Sequence, residues 1–424
     1  MLTKLLRRLV AKRKDPFLFK KYEGNLDFFH LPAEIGLYVH IPFCRSICPF
    51  CPYNKMLYSP ELAAQYTDAL LMEISLLAPW LQGKAIPSIY FGGGTPTLLL
   101  DGIGQVLSWT RQELGFTGEI GIELHPREAT PEVLSKLKAL GIELISLGIQ
   151  TFSDSTLKKL GRNHSAQEAG AALKAVTAMG FDCVDVDIMF NLPDQTAAEI
   201  EEDISLACQA GVDQLSIYPL ILFPFTALPE KLTRDGYQRF SSFQEWRLLK
   251  RIEEIATRAG YQRTSIWTYG RPGGQKYTSI TRENYLGLGA GAASQYGDSF
   301  YLNTFDVTAY IDRVQQGILP INLVNSMSQR ESMAYWLFWR CYETIIDGQN
   351  FSLTFGTEIN EEFSWELRLA RLIGLLKREG KVLRLPPLGL YLYHLLEKHY
   401  SLTYLNDTWA ACQKTAWLDQ FSLD

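Results

Sequence analysis

From residue 37 to about residue 260, short apolar segments alternate with amphipathic stretches of helical period, and this alternation restricts the fold more than any other property of the chain. The apolar segments are Leu37–Ile41, Ser88–Phe91, Glu119–Leu124, Leu144–Ile149, Cys183–Met189 and Gln214–Tyr218. The helical stretches between them include Glu61–Ala78, Pro131–Leu140, Ala166–Met179 and Ala197–Ala210. Crossovers of that length join parallel strands, which a tight hairpin cannot connect. Six strand–helix units predict an α/β fold built as a partial (β/α)6 barrel, open on one side, followed by a smaller, mostly helical C-terminal domain. The expected division is a basic arm over 1–36, the barrel over 37–260 and a Gly-rich connecting segment packed on it over 261–327. A helical, winged-helix-like domain over 328–400 and an aromatic tail over 401–424 complete it.

The 424 residues are 47% hydrophobic, enough for a large core, and a net charge of −5 does not fit a nucleic-acid binder. No apolar run is long enough to span a bilayer and no signal-type apolar block opens the chain, so a cytoplasmic location is expected. Seven cysteines, three of them clustered, do not form a disulfide framework. Cys183, Cys208, Cys341 and Cys412 lie in apolar or helical contexts and are expected to be reduced. The first 21 residues depart from the acidic balance. Lys4, Arg7, Arg8, Lys12, Arg13, Lys14, Lys20 and Lys21 face one acid, Asp15, while Leu2, Leu5, Leu6, Leu9 and Val10 recur at helical spacing. Three readings stay open for this arm: a membrane-surface helix, a basic arm for a polyacidic substrate, or a solvated helix packed on the rest. Pro16 limits any such helix to a few turns.

The unusual residues fall at strand C-termini, the rim where parallel barrels carry their sites. Cys44, Cys48 and Cys51 follow the first strand, spaced so that one short loop can turn three thiolates toward a common region. Three thiolates are one fewer than a closed zinc site or a fully ligated four-iron cluster needs, which leaves an open position for a reacting ligand. Gly92, Gly93 and Gly94, before Thr95-Pro96, let backbone approach a ligand closely. Glu123 ends the third strand, Gln150 follows the fourth, and Asp187 lies inside the apolar run Val184–Phe190. A carboxylate among apolar neighbours needs a partner, either a ligand amine or hydroxyl pair or an internal arginine. Arg162 could grip a carboxylate with its planar fork, or sit on the surface beside Lys158 and Lys159. Tyr38 and His40 share one face of the first strand, and His40 is expected to be hydrogen-bonded rather than a ligand.

The string from Leu37 to Cys44 (LYVHIPFC), followed by CxxxCxxC, resembles the start of radical S-adenosylmethionine (SAM) enzymes. More narrowly it resembles the branch of anaerobic coproporphyrinogen III dehydrogenase and its relative, the heme chaperone. The likeness continues through Gly92–Thr97, Glu123–Glu128, Gly148–Phe152, Leu160–Arg162, Asp187–Pro193 and Gly287–Ser294. It implies a radical SAM barrel with a [4Fe-4S] cluster on Cys44, Cys48 and Cys51, and SAM on the open iron. It also implies one or two SAM molecules. Tyr38, Gly93, Glu123 and Ala293 match positions near the first, and Phe50, Gly94, Thr95, Gln150, Arg162, Asp187 and Ile221 match positions near the second. A flavodoxin or ferredoxin as electron donor and a tetrapyrrole as substrate follow from the same likeness. Pro52 and Tyr53 depart from the dehydrogenase pattern, which has a further cysteine there.

Beyond residue 260 the pattern changes. Gly270–Gly274 and Gly287–Ala293 are expected as loops or tight turns. Ser328–Tyr342 and Glu361–Arg378 are expected as helices, then a strand over Lys381–Leu385 and a last helix over Leu388–His399. Glu358, Glu361, Glu362 and Glu366 leave this unit no basic recognition face, so a lid over the barrel is expected. Trp336, Trp339 and Tyr342 fit either a helical core or a surface that stacks on a porphyrin. Three functions stay open: oxidative decarboxylation of a tetrapyrrole, radical methyl transfer with two SAM molecules, and heme binding by a chaperone.

Overall fold

The structure is a computed structural model of the chain, and it describes residues 2–24, 26, 28–236, 240–275 and 283–423. Six parallel strands stand side by side in chain order: β1 (Gly36–Ile41), β2 (Ser88–Gly93), β3 (Glu119–Leu124), β4 (Leu144–Gln150), β5 (Cys183–Phe190) and β6 (Gln214–Pro219). They form the centre of a 14-stranded sheet that runs from Gln262–Arg263 at one end to Gln420–Leu423 at the other. Among the described residues β1 and β6 do not pair with each other. Beyond β6 the sheet turns antiparallel through Thr268–Gly270, and on the other side Tyr285–Leu288 runs parallel to β1. Part of the Gly287–Ala293 run expected as loop is thus strand, with its turn confined to the stretch before Ala293–Tyr296.

Period-two alternation sets the two faces of the array. Leu37, Val39, Ile122, Ile145, Val184, Val186 and Leu215 are at most 3% exposed and pack against the flanking helices. Burial of each such side chain contributes about 1.5–3 kcal/mol. The alternate positions are polar and aligned by register: Glu123 beside Ser146, Ser146 beside Asp185, Asp185 beside Gln214, and Asp187 beside Ser216. Helices Ala166–Ala178 and Ala197–Gln209 open with capping boxes, Ser165 with Glu168 and Thr196 with Glu199.

The C-terminal part differs from its sequence reading in three places. The helix expected over Glu361–Arg378 is two short helices, Ile359–Glu362 and Ser364–Leu372, and Lys377–Glu379 is a strand. Phe363, fully buried, takes a non-helical conformation between the two helices, and its burial in the local core outweighs continuous helix pairing. Ile345–Asp347, Val382–Arg384 and Lys377–Glu379 form a small antiparallel sheet. The last helix runs from Pro387 to Cys412, well past His399, so the first half of the aromatic tail is helix, and Gln420–Leu423 pairs with Phe17–Lys21.

The basic arm is folded onto this part. Helix Leu2–Leu9 packs on the C-terminal helix, Arg7 donates to the Leu423 carbonyl, and Arg13 pairs with Glu331 at 2.6 Å. The side chains of Leu2, Leu5 and Leu6 lie outside the described residues. No helix among the described residues is long and apolar enough to cross a membrane.

Candidate functional site

A cavity of about 1210 Å³ opens at the strand C-termini. The residues matched to the cluster and to SAM line it: Cys44, Cys48 and Cys51; Tyr38, Phe50, Thr95, Glu123, Gln150, Arg162, Asp187, Ile221 and Ala293; and the backbone of Gly93 and Gly94. These positions span the chain from the first strand to the Gly-rich segment.

The glycine turn holds the cysteine loop. The Gly94 N–H donates to the Ile41 carbonyl at 2.8 Å and the Thr95 N–H to the Phe43 carbonyl at 2.7 Å. A Cβ on Gly94 would lie 2.5 Å from the Phe43 oxygen and 2.8 Å from Cys44 Sγ. Gly93 has φ +117°, and a Cβ there would meet His40 at 2.8 Å. The N–H groups of this turn are taken by the protein, so it offers the cavity close backbone rather than free donors.

Arg162 reaches back over the same loop. Its Nη1 lies 3.5 Å from Cys48 Sγ, its Nη2 donates to the Gly148 carbonyl, and its Nε is buried without a hydrogen-bond partner. Lys55 donates to the Cys51 carbonyl at 2.7 Å. Burial outweighs the pull of Lys55 toward thiolate at Cys44 and Cys51. Burial, then the neighbouring Cys51, pushes the Cys44 thiol up to about 12, so metal must displace protons when it binds. Among the described residues no three His, Cys, Asp or Glu side chains converge to hold a single ion. Three thiolates are one short of a closed zinc site and would leave one iron of a four-iron cluster open to a further ligand.

Neither Glu123 nor Asp187 pairs with an internal arginine as its main partner. Glu123 accepts from the Gly93 N–H at 3.0 Å and from the Tyr90 hydroxyl at 3.2 Å, and burial raises its carboxyl to about 7. Ser146 Oγ lies 3.2 Å from both Asp185 Oδ2 and Asp187 Oδ2. One hydroxyl proton can serve only one of these oxygens at a time. Burial, then the charge of Asp185, pushes Asp187 upward. Asp185 also accepts from Ser216 Oγ at 2.9 Å.

Gln150 has φ +75°, costly for a side chain larger than glycine, at an irregularity in the β4–β5 pairing. The Tyr218 hydroxyl donates to its Oε1 at 3.0 Å, and the bend aims the amide into the cavity. His40 Nε2 faces the Asn54 carbonyl at 2.9 Å, which leaves Nδ1 to accept from the Tyr38 hydroxyl at 2.9 Å. Burial lowers His40 to about 4, so it is a neutral, packed imidazole.

Sequence reasoning passed over Tyr90, Ser146, Asp185, Tyr218 and Glu397, all of which line the cavity. Alternation was the available signal for the first four, each at an inward position of its strand. Glu397 lies on the helix Pro387–Cys412, which closes the other wall with Tyr400, Tyr404 and Trp409. Trp339 and Tyr342 also line that wall, while Trp336 is 5% exposed in the local core. The remaining cysteines are free, with Cys183 and Cys412 buried.

Residues 38–207 match the family model described as the Radical SAM superfamily. The heme chaperone HemW of Escherichia coli (strain K12) is 31% identical over 273 residues, covering 61% of this chain and 69% of the relative. The oxygen-independent coproporphyrinogen III oxidase of the same organism is 29% identical over 301 residues, 66% of each chain. The solved structure of coproporphyrinogen III oxidase (HemN) from Escherichia coli, titled a radical SAM enzyme, superposes with a TM-score of 0.78 at 24% identity. It covers 90% of this chain and 94% of its own.

Proposed function

This chain belongs to the radical SAM superfamily, in the branch that holds the heme chaperone HemW and oxygen-independent coproporphyrinogen III oxidase, and from that premise we propose a SAM-dependent radical enzyme acting on a tetrapyrrole. Its cofactors are a [4Fe-4S] cluster and SAM, which when bound would supply, with one electron taken from an external donor, methionine and a 5′-deoxyadenosyl radical able to remove a hydrogen atom from carbon. Cys44, Cys48 and Cys51 would hold the cluster, and the band from Tyr38 to Asp187 would hold SAM.

One observation carries the substrate class: a single large cavity joins the polar strand ends to a wall of aromatic side chains. The strand-end groups orient a charged cofactor, and the aromatic wall offers flat area to a conjugated ring. The reaction we favour is oxidative decarboxylation of a propionate side chain. It removes one hydrogen atom, CO2 and one electron, the electron passing to an external acceptor, and leaves a vinyl group.

The test is anaerobic reconstitution and reduction with SAM present, then mass spectrometry with coproporphyrinogen III or heme added. The proposal expects 5′-deoxyadenosine together with a product lacking CO2 and two hydrogens. Stoichiometric heme binding without 5′-deoxyadenosine would favour the chaperone reading, which the likeness to HemW supports. Methylated product with two SAM consumed would favour the methyltransferase.

A further inference from the structure

Glu397 is a buried carboxyl that the cofactor residues do not use. It is 5% exposed and lines the cavity on the aromatic wall. Its Oε1 accepts from Ser401 Oγ at 3.2 Å, and its Oε2 is buried with no hydrogen-bond partner. The adjacent Lys398 points away, donating to Glu245 at 2.6 Å, so it does not neutralise Glu397. The groups beside it are phenols: Tyr335, Tyr342 and Tyr400 line the same wall, and Tyr393 packs behind it. Burial raises the carboxyl to about 8, so in the empty cavity it is mostly protonated near neutrality. A buried oxygen without a partner is costly, and a ligand whose donors hold the carboxyl in its ionised form recovers the cost.

A tetrapyrrole without metal carries its donors at the ring centre, where the pyrrole N–H groups converge. A ring filled by metal has none left. Resting on the tetrapyrrole reading above, we propose that Glu397 accepts hydrogen bonds from the pyrrole N–H groups of a ring lying on the aromatic wall, which makes this wall selective for a metal-free tetrapyrrole. Glu397 is in this role a specificity-determining residue.

The experiment compares two probes on the anaerobically reconstituted full chain: free-base coproporphyrin III and its copper(II) complex, which is flat, has no N–H and takes axial ligands poorly. Wild type should bind the free base about tenfold more tightly than the complex, the worth of one hydrogen bond to a charged group. Glu397→Leu, which puts an apolar side chain on an apolar wall, should fold as well as wild type and erase that preference while SAM binding and the cluster absorption stay unchanged. Glu397→Gln, whose amide oxygen still accepts but carries no charge, should only weaken it. A preference that survives in Glu397→Leu, or wild type binding both probes equally, overturns the assignment and leaves the tetrapyrrole reading standing. Wild type that binds neither probe, heme, nor coproporphyrinogen overturns both.

Discussion

Replacing Glu123 by Gln probes the electrostatics of the strand-end band directly. In the folded chain the carboxyl rises from 4.5 to about 7, and burial is the cause. Below pH 4.5 both folded and unfolded chains hold this proton, and between 4.5 and about 7 only the folded chain holds it. Stability therefore falls as pH rises through that window, because the folded state binds more protons there. At about 1.4 kcal/mol per unit, the loss reaches at most about 3 kcal/mol above the window. Glutamine mimics the protonated acid: each offers one good acceptor to the Gly93 N–H, and the Tyr90 hydroxyl can turn to accept. Urea unfolding of the metal-free protein should then show little difference between Glu123→Gln and wild type at about pH 5, and a relative gain for the variant of up to about 3 kcal/mol at about pH 8. A difference that does not change with pH, or that favours wild type at high pH, would refute this account of Glu123.

Cys48→Ala should leave the circular dichroism unchanged and remove the iron and the four-iron absorption; full iron content in the variant would exclude Cys48 as a ligand. Gly94→Ala places a Cβ 2.5 Å from the Phe43 oxygen and should block cluster assembly. Gly170→Ala, in a helix with nothing within 4 Å of its added Cβ, should assemble normally and gain about 1 kcal/mol, so equal iron loading in both would show that the glycine turn does not shape the loop. Glu245 joins the barrel to the C-terminal helix through Lys398 and His394. Burial works against its charge, yet those two partners hold the carboxyl down to about 2. Its contribution is present above 4.5 and lost as pH falls toward about 2, so acid unfolding should begin at higher pH in Lys398→Ala; coincident acid transitions would count against the latch.

The parallel array was legible because apolar periodicity and strand-end position are local properties. Leu37–Ile41 and Glu119–Leu124 could be recognised without knowing what packs on them. Glu123 and Gln150 could be singled out for the same reason, at or next to the ends of their own strands, whereas Phe50, Ile221 and Ala293 lie elsewhere and were named from the resemblance alone. What escaped depends on partners far apart in sequence. Asp185 looks like one acid in an apolar run until register sets Ser146 and Ser216 beside it. The break at Phe363 arises from tertiary burial, which overrides local helix preference. The extension of the last helix to Cys412 brings Tyr400, Tyr404 and Trp409 to one face, and only the facing cavity distinguishes that face from an ordinary core stripe.

The strand-end band is arranged against itself until a cation arrives. Glu123, Asp185 and Asp187 all have raised carboxyl pKa values, with burial the first cause in each and mutual repulsion added for Asp187. Arg162 is the main counter-charge near Asp187, and its side chain also spans Cys48 and the Gly148 carbonyl. At neutral pH part of this band therefore holds protons that a positively charged ligand would expel, because a nearby cation favours the ionised acid. SAM carries an ammonium and a sulfonium, so its binding near these carboxyls should release protons. Calorimetric titration near pH 7 in two buffers of different ionisation enthalpy measures that release: the observed heat should shift with the buffer in the direction of proton uptake by it. The release should shrink in Glu123→Gln, which has no proton to give up at that position. Heats that coincide in the two buffers would mean that SAM meets the band already ionised, and the electrostatic argument for these carboxylates as its partners would fail.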